Sequence, residues 1–267
     1  MDGRVGRAAA EDRRRMSGHS KWKTIQHKKG AADAKRGKIF SKFSKELMIV
    51  AKQGGGNPDS NVSLRTLITK ARGSNMPMDN IERAIKKGTG ELEGAMLEEV
   101  VYEGFAPGGV ALVVVALTDN KKRAAAEIRH IFAKHGSNFA SQNSVTRGFK
   151  RKGQLFVDSA VASEEKLMEI ALDAGAEDIQ PDEGQFEIIT EPASYIKVVE
   201  ALEKAGIKTT SSETTLLPDI YVPVTDKAKA SQVLKFVEDL EDNEDVQNVY
   251  TNMDISDAVM KELEKEE

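Results

Sequence analysis

Cysteine is absent from the 267-residue chain. That excludes disulfides, thiolate-bound zinc, iron–sulfur clusters and cysteine nucleophiles, and it fits a reducing compartment. Aromatic residues make up only 5%, with a single tryptophan, too few to line a large aromatic cofactor pocket. No apolar run approaches the roughly 18 residues of a membrane span; the longest covers residues 110–117. The first fifteen residues carry five arginines without an apolar core, and Asp2, Glu11 and Asp12 stand among them. Such a composition fits neither a secretory signal nor an acid-poor transit peptide. Residues 1–15 are therefore expected to be a disordered extension, and the protein to be cytoplasmic.

Catalytic and metal-binding patterns are missing as well. The four histidines are His19, His27, His130 and His135, and none belongs to an H-E-x-x-H arrangement. His130 and His135 stand five apart, which turns them to different sides of a helix. There is no G-x-S-x-G elbow. Gly54-Gly-Gly56 lacks the Gly-Lys-Ser/Thr of a phosphate-cradling loop, and Gly88-Thr-Gly-Glu-Leu-Glu-Gly94 carries acids where a pyrophosphate would sit. No D-x-D-x-D-G spacing marks a cation loop. A non-enzymatic protein is expected, with no cofactor and no metal.

What the chain does have is charge divided along its length. The formal total is −4. Residues 16–90 hold 16 Lys and Arg against 5 Asp and Glu, a net of +11, while residues 154–267 hold 9 against 28, a net of −19. A split of this size points to one end that binds polyanions and another that is acidic.

Periodicity divides the chain in the same way. Over residues 37–53, Ile39, Phe40, Phe43, Leu47 and Val50 recur at three- and four-residue steps, one face of a helix. Gln53-Gly-Gly-Gly-Asn-Pro-Asp-Ser60 stops it. A second helix is expected over residues 61–72 and a third from Pro77 to a stop at Gly88. Past residue 97 the period shortens. Residues 98–105 and 109–118 flank Ala106-Pro-Gly as a hairpin whose second strand, apolar on both faces, should be central in a sheet. A helix follows over residues 121–135. After a joint at Lys150-Arg-Lys-Gly153 the order is strand (154–157), helix (163–174), strand (178–181), strand (185–190), helix (193–205) and strand (208–213). That is βαββαβ, the ferredoxin-like order. A further strand (215–224), helix (226–240) and strand (246–253) would complete the earlier hairpin, and residues 261–267 read as a solvated, fraying end.

The fold class is therefore α+β with three domains: a basic helical domain (16–95), a discontinuous α/β domain (96–150 plus 215–260), and a ferredoxin-like domain (151–214) inserted in it.

The candidate nucleic-acid contacts lie in the basic third. Lys21, Lys23, Lys28, Lys29, Lys35, Arg36 and Lys38 are dense enough to neutralise phosphates and release condensed counterions. His19 and His27 lie among them, and the Trp22 ring could stack on an unpaired base. Lys42, Arg65, Lys70, Arg72, Arg83, Lys86 and Lys87 stand off the apolar stripes of the helices. Charge alone does not choose DNA over RNA.

Several of these stretches form recognisable motifs. Gly18-His-Ser-Lys-Trp22, Asp33-Ala-Lys-Arg-Gly-Lys-Ile-Phe40, Gly54-Gly-Gly-Asn-Pro-Asp-Ser60, Asn75-Met-Pro-Met-Asp-Asn-Ile-Glu-Arg-Ala-Ile-Lys-Lys-Gly88 and Leu117-Thr-Asp-Asn120, in this order, resemble the YebC/PmpR family. The similarity runs from about Met16 to near the C-terminus. Residues 136–149 depart from the glycine-rich stretch that relatives tend to carry there.

The resemblance implies a helical N-terminal domain and two α/β domains, one interrupted. It also implies a regulator of gene expression: members are generally labelled probable transcriptional regulators that bind DNA. Others act in translation, contacting the ribosome and relieving stalls at proline-rich stretches, and the family includes the mitochondrial translational activator of cytochrome c oxidase. The expected partner is nucleic acid, either DNA or ribosomal or transfer RNA, with the ribosome as a further candidate and no membrane. Gly18–Trp22, Lys28, Lys29 and residues 33–38 would belong to the face turned to nucleic acid, and residues 75–88 would be its second exposed segment.

Overall fold

The computed structural model describes residues 33–182 and 184–264. The expected extension at residues 1–15 lies outside them. Three helices come first: α1 (Asp33–Gly54), α2 (Val62–Gly73) and α3 (Met78–Thr89). Their apolar stripes meet in one core, with Leu47, Ala51, Leu64, Leu67, Met76 and Ile81 buried and Phe40, Phe43 and Val50 packed around them.

A three-stranded sheet follows, in the order β1 (Glu98–Ala106), β2 (Val110–Thr118), β8 (Val246–Thr251). Both pairings are antiparallel. β2 is central, and its composition explains why. Leu112, Val114 and Ala116 enter the largest core, and Ala111 and Val113 pack on the opposite face with Val145 and Phe149. Helices α4 (Lys121–Lys134) and α7 (Lys227–Glu241) supply Ile128, Phe132, Val233, Phe236 and Leu240 to that largest core. The sheet is thus assembled from two stretches of chain.

Between them lies a four-stranded antiparallel sheet in the order β4 (Ala176–Asp182), β5 (Gln185–Thr190), β3 (Phe149–Asp158), β6 (Ser211–Pro218). Helix α5 (Glu164–Leu167), continued by a π-helical turn (Met168–Leu172), and α6 (Tyr195–Lys204) bury Leu167, Ala171, Val198 and Leu202 against Leu155, Val157 and Ile188. The element order β3-α5-β4-β5-α6-β6 and this strand order are those expected of the βαββαβ pattern.

Three details differ from the sequence reading. β3 begins at Phe149, so the basic joint Lys150–Gly153 is strand, paired with β6. β6 in turn runs unbroken to Pro218, and only a short β7 (Val222–Val224) remains of the strand expected over residues 215–224; it pairs in parallel with β9 (Met253–Ile255). Of the expected fraying end, residues 261–264 belong instead to α8 (Asp257–Glu264), which buries Val259, Met260 and Leu263 in the largest core, while residues 265–267 lie outside the described residues.

Candidate nucleic-acid interface

The basic helices are positioned by their turns. The Asn61 side-chain oxygen accepts from the Leu64 amide at 3.0 Å and caps α2, while its amide nitrogen donates to the Gly55 and Val50 carbonyls at 2.9 and 3.2 Å. One buried asparagine therefore closes the end of α1, the glycine loop and the start of α2 together. At the far end of α3 the expected stop at Gly88 is displaced by two residues. The helix runs to Thr89 and Gly90, at φ +83°, takes the left-handed cap. Gly88 instead lies where α3 crosses α1, against the backbone of Met48.

The candidate residues then separate into groups. His19, Lys21, Trp22, Lys23, His27, Lys28 and Lys29 lie outside the described residues. Lys35 lies in the first turn of α1, and Arg36 beside it is exposed. Lys38 faces Asp242 at 3.6 Å, and the Lys42 ammonium donates to the Glu241 carbonyl at 2.6 Å. Arg65 reaches Glu203 at 3.4 Å and Lys70 reaches Glu213 at 3.2 Å. These four cations of α1 and α2 are engaged by the acidic part of the same chain.

Arg72, Arg83, Lys86 and Lys87 are exposed, with no ion pair to any described residue. Arg83, Lys86 and Lys87 are three and four positions apart and share one face of α3. Lys86 and Lys87 also sit in its last turn, where the helix dipole favours cations. The structure thus leaves an uncompensated basic face on α3, and a further exposed cation, Arg72, in the last turn of α2.

The centre of the ionic contacts is a pair that the charge pattern did not single out. Lys45 donates to the Leu117 carbonyl at 3.1 Å, the Glu244 carbonyl at 2.9 Å and Asp245 Oδ1 at 2.7 Å. All three ammonium protons are used. Asp245 is only 3% exposed and also accepts from Arg123 and from the Thr118 hydroxyl, each at 3.0 Å on Oδ2. Burial pushes its carboxyl up, but Lys45 and Arg123 outweigh that and hold it below the ordinary aspartate value. Nothing local marks this pair, because its partners are 200 residues apart.

A second buried carboxylate organises the stretch that follows α4. Glu103, 4% exposed, accepts from the backbone amides of Asn143, Val145 and Thr146 at 2.6, 2.7 and 2.8 Å. Burial raises its pKa, and the amides of Thr146, Val145 and Asn143 together bring it below the ordinary glutamate value. Residues 143–146 are thereby tied to β1, with Ser141–Ser144 exposed above it. His130 is exposed, and His135 bonds Asp239 at 2.9 Å while stacking on Phe236. The described residues contain no group of three or more His, Asp and Glu able to hold a metal ion, and no helix among them is long and apolar enough to cross a membrane.

Comparison with known proteins matches two family models. Residues 20–91 match the TACO1/YebC protein N-terminal domain, and residues 97–253 the TACO1/YebC second and third domain. A protein of Desulfatibacillum aliphaticivorans named "Probable transcriptional regulatory protein" is 55% identical over 92% of this chain and 100% of its own. A protein of Geobacter sulfurreducens with the same designation is 53% identical over 93% and 100%. Among solved structures, a conserved hypothetical protein of Aquifex aeolicus superposes with a TM-score of 0.74 at 47% identity, covering 84% of this chain and 93% of that one.

Proposed function

The chain belongs to the TACO1/YebC family, and from that premise we infer that it is a non-enzymatic regulator of gene expression that binds nucleic acid, duplex DNA in the first instance, through its basic helices. The regulatory role is the one its relatives are named for. The observation that carries the binding reading is the uncompensated face of Arg83, Lys86 and Lys87, with Arg72 also exposed, within a segment whose net charge is +11. Cations left without acidic partners, in a protein that satisfies so many others internally, are available to phosphates. Lys21, Lys23, Lys28, Lys29, Lys35 and Arg36 extend the same charge toward the N-terminus. Three units are proposed on the charge and core divisions: residues 16–95 grip the phosphates, and residues 96–150 with 215–260, and 151–214, set orientation and recruit partners.

The test is titration of labelled duplex DNA with wild type and with a variant carrying Arg83→Gln, Lys86→Gln and Lys87→Gln, over a series of salt concentrations. Loss of three phosphate contacts should flatten the slope of log K against log salt by about 0.9 for each contact. Equal affinity and equal slope would remove α3 from the interface. Sedimentation of cell lysate through sucrose gradients addresses the other target. Wild type travelling with ribosomes, with a Lys28/Lys29/Lys35/Arg36 to Gln variant left at the top, would replace transcription by translation and DNA by ribosomal or transfer RNA.

A further inference from the structure

The basic bundle meets the rest of the chain through charge rather than through a shared apolar core. Among the described residues its hydrophobic cluster draws on residues 40–85 alone, and the close packing of its helices is with one another. What crosses the junction is a row of anionic or carbonyl oxygens on lysine and arginine: Asp242 on Lys38, the Glu241 carbonyl on Lys42, Glu203 on Arg65, Glu213 on Lys70, and Asp245 on Lys45. To these cations, such a row offers the same chemistry as a phosphate backbone.

We propose that this acidic row is an internal stand-in for nucleic acid: it occupies the cations of α1 and α2, and an incoming polyanion displaces it, with Lys45–Asp245 retained as the pivot. The proposal deepens the nucleic-acid reading given above and rests on it. Exposure separates the pairs that yield from the one that holds. The side chains of Lys38 and Asp242 are 40% and 55% exposed, with similar values for Arg65 with Glu203 and Lys70 with Glu213. Pairs this wet are weak and screened by salt. Lys45 and Asp245 are 21% and 4% exposed, and their bonds are saturated.

A polyanion landing on Arg83, Lys86 and Lys87 is thus offered a second set of cations whose present partners are easily exchanged. Binding then has two stages, contact on α3 followed by release of α1 and α2 from Glu203, Glu213 and Asp242. The acidic end sets how much affinity is withheld until that release.

The experiment compares two full-length variants of equal net charge. One carries Glu203→Gln, Glu213→Gln and Asp242→Asn; the other carries Glu164→Gln, Glu165→Gln and Glu169→Gln, exposed acids of α5 and its π-helical turn that hold no cation of the described bundle residues. Because the chain has no cysteine, Gln53→Cys and Ser231→Cys, both at exposed positions, give a clean pair of label sites on α1 and α7. The junction variant should bind duplex DNA tighter than the α5 variant by roughly three- to a hundredfold, the range for three exposed pairs. In labelled wild type, saturating DNA should lengthen the separation between the two sites. Equal affinity of the two variants, or binding with an unchanged separation, overturns the displacement and leaves the nucleic-acid reading standing. No binding by wild type or by either variant overturns both.

Discussion

Two glycines in the basic bundle should respond to the same substitution with opposite sign. Gly37 lies in α1 with nothing within 4 Å of the place a Cβ would occupy. Gly37→Ala there removes unfolded-chain entropy at no steric cost and should stabilise the bundle by about 0.5–1 kcal/mol. Gly88 would gain the same amount from helix propensity. Its Cβ, however, would fall on the Met48 carbonyl oxygen, 2.9 Å from the Met48 Cα and 3.0 Å from the Ala51 Cβ. Two of those three atoms are backbone of α1, so no rotamer change relieves the clash and the helices must move apart. Overpacking of this kind costs about 1–3 kcal/mol, and the net effect of Gly88→Ala should be a loss of about 1–2 kcal/mol. Hydrogen exchange of the α1 and α3 amides, read by mass spectrometry, isolates the bundle from the other cores. Faster exchange in both helices for Gly88→Ala and slower exchange for Gly37→Ala is the expected pair. Equal protection in the two variants would refute the account of Gly88 as a crossing point.

Further outcomes follow from three buried groups. Asn61→Ala removes the α2 cap and leaves the Val50 and Gly55 carbonyls without their donor, so the bundle should lose about 2 kcal/mol by denaturant titration. Glu103→Gln turns an amide donor toward backbone donors and should cost about 2–3 kcal/mol, seen as loss of protection at Asn143, Val145 and Thr146. In wild type the Glu103 pKa is depressed on folding, so its contribution is complete above its ordinary value of 4.5 and fades as pH falls through the lower folded value. The amide signals of residues 143–146 should broaden in acid before those of β2, and simultaneous loss would contradict that order. Phe132 is fully buried, with its ring 5.0 Å edge-on from both Phe139 and Phe236. Phe132→Ala should cost about 3–5 kcal/mol in thermal unfolding.

Local pattern carried most of the fold. The apolar spacing of α1 and α4, the two-faced apolar run of β2 and the βαββαβ order are properties of neighbouring residues, and the structure keeps them. Where the reading broke down, a partner distant in sequence had decided the matter. Lys150–Gly153 looked like a joint because it is charged. In β3, Lys152 is buried between Glu177 and Glu191, and Gly153 leaves room for Tyr195 and Thr190, so the strand can pass through. The acids of residues 261–267 masked the Val259, Met260 and Leu263 stripe of α8, whose burial depends on α7. For the candidate site the limit was of the same kind. Net charge located the basic third, but only tertiary structure separates Lys38, Lys42, Arg65 and Lys70, which hold acids or carbonyls of the chain itself, from Arg83, Lys86 and Lys87, which hold none.

The pairing of β2 with β8 has a consequence for how the chain is made. Leu112 stands opposite Thr251 in the antiparallel pairing of β2 with β8, so the outer ladder of the central sheet cannot close until almost the last strand has been synthesised. At about 5–20 residues per second, that is a delay on the order of ten seconds. The helical bundle and the four-stranded sheet are contiguous in sequence and can form meanwhile. During the interval β2 is a long apolar strand with one edge unpaired, the kind of surface that recruits other chains. Its apolar residues therefore make nascent, rather than mature, protein the stage most exposed to aggregation, and α7 and β8 the segments whose timely arrival ends that exposure.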